Sequence, residues 1–62
     1  MKSWKPKYSE RFYFVDATGE VICSTYLDTF YDKKLIAAGN CFKYKYQAVP
    51  LANKFINILR GG

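Results

Sequence analysis

Arg11-Phe-Tyr-Phe-Val-Asp-Ala-Thr-Gly-Glu-Val-Ile-Cys-Ser-Thr-Tyr-Leu27 is the stretch on which the fold turns. Residues 11–16 are aromatic and β-branched, the composition of a strand. Phe12 and Phe14 share one face of it, and Tyr13 and Val15 share the other. Asp16-Ala-Thr-Gly19 reads as a turn, because aspartate opens turns and glycine accepts a positive φ. Glu20 to Leu27 then returns as a second strand, with Val21, Cys23, Thr25 and Leu27 on one side and Glu20, Ile22, Ser24 and Tyr26 on the other. The expectation is a β-hairpin.

Downstream of the hairpin, Asp28, Thr29 and Asp32 are competent helix N-caps, and Leu35-Ile-Ala-Ala38 follows them. Gly39-Asn40 stops the segment, since glycine just past a helix commonly turns left-handed. A short helix over about 30–38 is predicted. Cys41 to Tyr46 alternates Lys43 and Lys45 with Phe42, Tyr44 and Tyr46, a period of two that predicts a third strand with a basic face and an aromatic face. Ala48, Leu51, Ala52, Phe55, Ile58 and Leu59 follow three-and-four spacing, so the last segment is an amphipathic helix. Pro50 leaves its start open. The helix begins near Val49 with proline in its first turn, or near Lys45 with proline inside it. The predicted class is α+β: a small antiparallel sheet, made of a hairpin plus a short third strand, covered by a C-terminal amphipathic helix and joined by a short connecting helix.

Upstream, residues 1–9 read as a basic arm on a single domain spanning 1–62. Lys5-Pro6-Lys7 is extended, because proline disfavours helix at the residue before it. Trp4 anchors the arm, either by docking on the core or by meeting a partner. The 62 residues are half hydrophobic and 19% aromatic, far too apolar for a disordered tail. Phe12, Tyr13, Phe14, Tyr26, Phe30, Tyr31, Phe42, Tyr44, Tyr46 and Phe55 are the expected core.

Charge is sorted along the chain. Lys2, Lys5, Lys7 and Arg11 against Glu10 make residues 1–11 +3. Asp16, Glu20, Asp28 and Asp32 make residues 12–32 −4. Lys33, Lys34, Lys43, Lys45, Lys54 and Arg60 make residues 33–62 +6. A basic surface attracts phosphates, anionic lipids or acidic proteins. No apolar run approaches the roughly 20 residues a membrane span needs, so no membrane partner is expected. No apolar stretch follows the N-terminal bases, which argues against a signal peptide, so a cytoplasmic protein with Cys23 and Cys41 as thiols is expected.

The chain has no histidine, hence no Ser-His or Cys-His dyad. Two cysteines without histidine do not make a zinc site in one chain, the acids lack metal-loop spacing, and there is no glycine-rich phosphate loop. No enzyme, metal or cofactor is expected. Two surfaces are candidates instead. Trp4, Lys43, Tyr44, Lys45 and Tyr46 carry the residue types that anchor interfaces. Lys2, Lys5, Lys7, Lys54 and Arg60 are candidate phosphate contacts. Phe42-Lys-Tyr-Lys-Tyr46 also interleaves rings with bases, as single-stranded nucleic-acid binders do, although an ordinary strand with solvated lysines has the same pattern. Leu59-Arg-Gly-Gly62 matches the end of ubiquitin but reads most simply as a helix terminus.

The order Trp4-x-Pro6, then Tyr13-Phe-Val-Asp16-x-x-Gly19-x-Val21, Asp32, Gly39-Asn40-x-Phe42 and Ala48 resembles a group of short proteins encoded by phages and prophages of Gram-positive bacteria. That group usually opens its last helix with Thr and paired Glu. The matching stretch here is Tyr44-Lys-Tyr-Gln47, so acids have become a base and aromatics. The resemblance implies a mobile-element accessory protein. The missing catalytic groups and the aromatic-rich surface lead to the expectation that it binds and blocks or modifies a host protein, such as a defence or replication factor. A small basic nucleic-acid-binding module is the alternative. The open sheet edge and the opposed charges of the two halves lead us to expect a homodimer at micromolar concentration.

Overall fold

A computed structural model describes residues 4–61. The hairpin forms as expected. Strands β1 (Arg11–Val15) and β2 (Val21–Thr25) pair antiparallel, with Tyr13 opposite Cys23 and Val15 opposite Val21. The turn is held by the Asp16 carboxylate, which accepts from the Thr18 N–H at 2.9 Å, the Thr18 hydroxyl at 2.6 Å and the Glu20 N–H at 3.0 Å. Gly19 closes it at φ +87°.

Helix α1 (Phe30–Ala37) starts at Thr29 with a complete capping box. The Thr29 hydroxyl accepts from the Asp32 N–H, and the Asp32 carboxylate accepts from the Thr29 N–H. Asp32 also accepts from the Leu27 N–H at 3.0 Å, so its buried carboxylate joins the strand exit to the helix start. Gly39 ends the helix at φ +74°. Its N–H donates to the Ile36 carbonyl and that of Asn40 to the Leu35 carbonyl, the two bonds of a Schellman motif.

The third strand does not form. Phe42 makes one antiparallel bridge to Tyr13, and helix α2 (Lys45–Leu59) begins three residues later, with Pro50 inside it. On the upstream side of that bridge the Asn40 side chain stands in for backbone: it accepts from the Val15 N–H at 2.8 Å and donates to the Val15 carbonyl at 2.7 Å. Downstream of it, a strand over 43–46 would run back along β1 past Arg11, but residues 45 and 46 belong instead to α2, whose register buries Ala48 and Ala52.

Each face of the hairpin feeds its own cluster. Phe12 and Phe14 join Tyr26, Leu35 and Cys41, with Trp4, Ile22 and Ile36 against them. Val15 joins Ala48 and Ala52, with Val21, Phe42, Leu51 and Phe55 against them. Four of the aromatics expected in the core lie outside it. Phe30 is 75% exposed, Tyr31 58%, Tyr44 48% and Tyr46 70%. Leu35 and two alanines supply the helical contacts instead, while Tyr31 keeps an edge contact with Phe14 at 6.0 Å between centroids. The arm is tied down within the described residues: Pro6 is buried, the Ser9 N–H donates to the Tyr26 carbonyl and the Tyr26 N–H to that of Glu10.

Candidate interaction surface

Lys43, Tyr44, Lys45 and Tyr46 sit together at the start of α2, all exposed. Tyr44 is the N-cap in extended conformation, and it has no side-chain cap to offer. The Gln47 side chain instead accepts from the Tyr44 N–H at 3.2 Å, and the Gln47 N–H donates to the Tyr44 carbonyl at 3.1 Å. Residues two apart on a helix do not face each other. Here Tyr44 lies outside the helix, so its ring can turn over that of Tyr46. The rings stack at 5.7 Å between centroids and 11° between planes. The Lys43 ammonium lies 5.5 Å from the Tyr44 centroid. No acid occupies the first turn, so Lys45 adds its charge to the positive end of the helix dipole. The result is an exposed pair of rings within a wholly basic surround.

The other predicted residues do not converge on this patch. Trp4 is half-buried against the Phe12 cluster. Lys5 lines a hollow of about 260 Å³ with Tyr26, Lys33, Ile36 and Ala37. Lys7 is exposed, and its backbone N–H donates to the Glu10 carboxylate at 2.9 Å. Lys54 is nine residues beyond Lys45 on one helix, which at about 100° per residue sets the two on opposite sides. Arg60 is the C-cap of α2. Lys2 lies outside the described residues. The candidate phosphate contacts are therefore dispersed and form no single stripe.

Two features escaped the sequence reading. At the hollow beside Lys5, the Tyr26 hydroxyl donates to the Asp28 carboxylate at 2.7 Å, and Lys33 stands 3.7 Å from the same oxygen. The tyrosine bond and, after it, the lysine charge lower the Asp28 pKa, and the same bond raises that of Tyr26. The sequence carried no signal for this pair, because Asp28 leaves the strand and turns at φ +57°. The second is an apolar hollow of about 280 Å³ between Ala17 and the Phe55, Ile58 and Leu59 end of α2. Ile58 and Leu59 stay largely exposed here, so the last turn of α2 overhangs the packed part of the molecule.

Among the described residues no group of three His, Cys, Asp or Glu side chains could hold a metal, and no helix is long and apolar enough to cross a membrane. Cys23 is exposed; Cys41 is buried, and desolvation followed by the nearby Asp32 charge pushes its thiol up to about 11. Comparison with known proteins finds no matching family, no matching curated protein and no matching solved structure.

Proposed function

We propose that this chain is a non-enzymatic accessory protein of the phage type, which binds and modulates a host protein through Lys43, Tyr44, Lys45 and Tyr46. In this reading α2 covers the Val15–Val21 face of the hairpin and carries its first turn outward to a partner. The stacked, exposed Tyr44–Tyr46 pair is the observation that carries the proposal. Each ring fixes the other, so little side-chain freedom is lost on contact, and tyrosine is enriched where interface energy concentrates. The basic surround selects a partner with an acidic face and speeds encounter with it. The resemblance to short phage proteins supplies the setting, a mobile-element accessory protein, and the proposed partner is a host defence or replication factor in the cytoplasm.

Nucleic acid remains the second reading, favoured by one observation: α2 carries Lys45 and Lys54 and no acid. Its weakness lies in the same rings. A nucleobase stacks on an open ring face, and each of these faces is already covered on one side by the other ring. Affinity capture from the lysate of a Gram-positive host, with and without nuclease, separates the two. A partner retained after nuclease supports the protein reading. Recovery that disappears with nuclease, together with tight, steeply salt-dependent binding of purified nucleic acid, overturns it.

A further inference from the structure

The two edges of the hairpin are unlike. On β1, Tyr13 exchanges both of its backbone bonds with Phe42, at 2.8 and 2.9 Å, and the Asn40 amide takes both polar groups of Val15. That edge is occupied at Tyr13 and Val15, leaving Arg11 as its one outward residue without a partner among the described residues. Antiparallel strands aim alternate residues at each other, so Phe12 and Phe14 are the residues bonded to Ser24 and Ile22 across the register. Val21, Cys23 and Thr25 therefore aim their N–H and C=O groups away from β1, and these groups have no hydrogen-bond partner among the described residues. Sheet edges are ordinarily blunted by lysine, proline or a bulge. Val21-Ile-Cys-Ser-Thr25 has none of these and pairs regularly along its whole length.

We infer that the β2 edge pairs with the β2 edge of a second copy, antiparallel, about a two-fold axis through Cys23. Only this register uses all three outward residues of both copies. Cys23 exchanges bonds with the partner's Cys23, and Val21 with the partner's Thr25. A shift by one residue would present inward-bonded groups, and a longer shift would leave an outward pair empty. Charge favours the same register. Residues 20 and 26 are equidistant from 23, so Glu20 falls opposite the partner's Tyr26. Glu20 and Tyr26 share a strand face, and the hollow at Tyr26 is lined by Lys5 and Lys33. Each carboxylate thus meets a hollow with two lysines, of which Lys33 is paired with Asp28 and Lys5 supplies the net positive charge, twice by symmetry. The contact is small, so the dimer is a weak one of micromolar to tens-of-micromolar strength. It is separate from the Lys43–Tyr46 surface and does not depend on the function proposed for that surface.

Sedimentation over a concentration series tests the inference on the intact chain, alongside a short bismaleimide crosslinker. Only Cys23 is exposed to the reagent, since Cys41 is buried and protonated at neutral pH. The wild type should dimerise reversibly and crosslink. Cys23→Ser should dimerise without crosslinking. Cys23→Lys sets like charges directly opposite each other and should be monomeric, with an unchanged circular dichroism spectrum. Glu20→Lys, at an exposed turn position, should weaken the dimer about tenfold even if Cys23→Lys folds poorly. Leu59→Asp, in the apolar overhang, should leave the dimer intact. A monomer at every concentration overturns the inference. So does a dimer that persists in both Cys23→Lys and Glu20→Lys, or one lost in Leu59→Asp alone.

Discussion

Replacing Gly19 by alanine tests how the hairpin turn meets α2. A Cβ built on Gly19 would lie 2.6 Å from Ile56 Cγ1 and 3.3 Å from the Ala52 carbonyl oxygen. The second neighbour is helix backbone, and the first is the inner part of a branched side chain, so neither moves freely. Overpacking of this kind costs about 1–3 kcal/mol. Gly19 also sits at φ +87°, where an L-residue adds about 1–2 kcal/mol. The expected loss is about 2–5 kcal/mol, out of a total of about 3–9 kcal/mol for a chain of this size. Gly39→Ala is the internal control. It stands at φ +74° with nothing within 4 Å of the new methyl, so it loses only the backbone contribution of about 1–2 kcal/mol. Urea unfolding of both variants gives the difference, which is the packing part. Gly19→Ala/Ile56→Ala should recover some of it, because contacting residues couple by about 0.5–3 kcal/mol. Equal losses for Gly19→Ala and Gly39→Ala, with no recovery in the double variant, would refute the docking of the turn on α2.

Gly39→Val should lower stability by about 1–2 kcal/mol, because a β-branched residue is disfavoured at positive φ; unchanged melting would show that Gly39 is not a left-handed cap. Asn40→Ala removes both partners of the Val15 peptide groups and should cost about 2–4 kcal/mol, with faster amide exchange at Val15 as the specific signature. Asp16 predicts an acid dependence. Hydrogen bonds from the Thr18 hydroxyl and then the Glu20 N–H lower its pKa from 3.8 in the folded state. Its contribution is therefore full above the unfolded value and is lost as pH falls through the folded one. Asp16→Asn should flatten the denaturation midpoint between roughly pH 5 and 2, and a profile parallel to the wild type would contradict this.

Local chemistry that acts on neighbouring residues was legible. The alternation at 11–15 and 21–25 gave the hairpin its strands, Asp16 and Gly19 its turn, Thr29 and Asp32 the start of α1, and Gly39 its end. The turn and cap signals are each satisfied by groups within five residues. Competition between distant segments was not legible. The alternation from Phe42 to Tyr46 is a sound strand pattern and its bridge to Tyr13 forms, but Lys45 and Tyr46 are taken into α2, whose register buries Ala48 and Ala52. The Phe42 bridge and the Asn40 side chain occupy Tyr13 and Val15 on β1, while the outward residues of β2 carry no such partner among the described residues. Tyr44 and Tyr46 were recognised as contact residues and also assigned to the core. A strand would have buried them together, whereas the helix start turns both outward and lets them stack. Lys43 and Lys45 keep their company in either fold, while Lys5, Lys54 and Arg60 part from them because their positions depend on tertiary placement.

The proposed function rests on the Tyr44–Tyr46 pair, and its most direct test is a side-by-side capture from nuclease-treated host lysate with the wild type and Tyr44→Ala/Tyr46→Ala. Both residues are exposed, so the double variant should keep the wild-type circular dichroism spectrum and melting temperature. The expected result is a discrete protein partner recovered by the wild type and lost by the variant, with affinity reduced at least about tenfold when that partner is purified and titrated. Equal recovery by both proteins would contradict the proposal, as would a lysate in which neither retains anything once nucleic acid is removed.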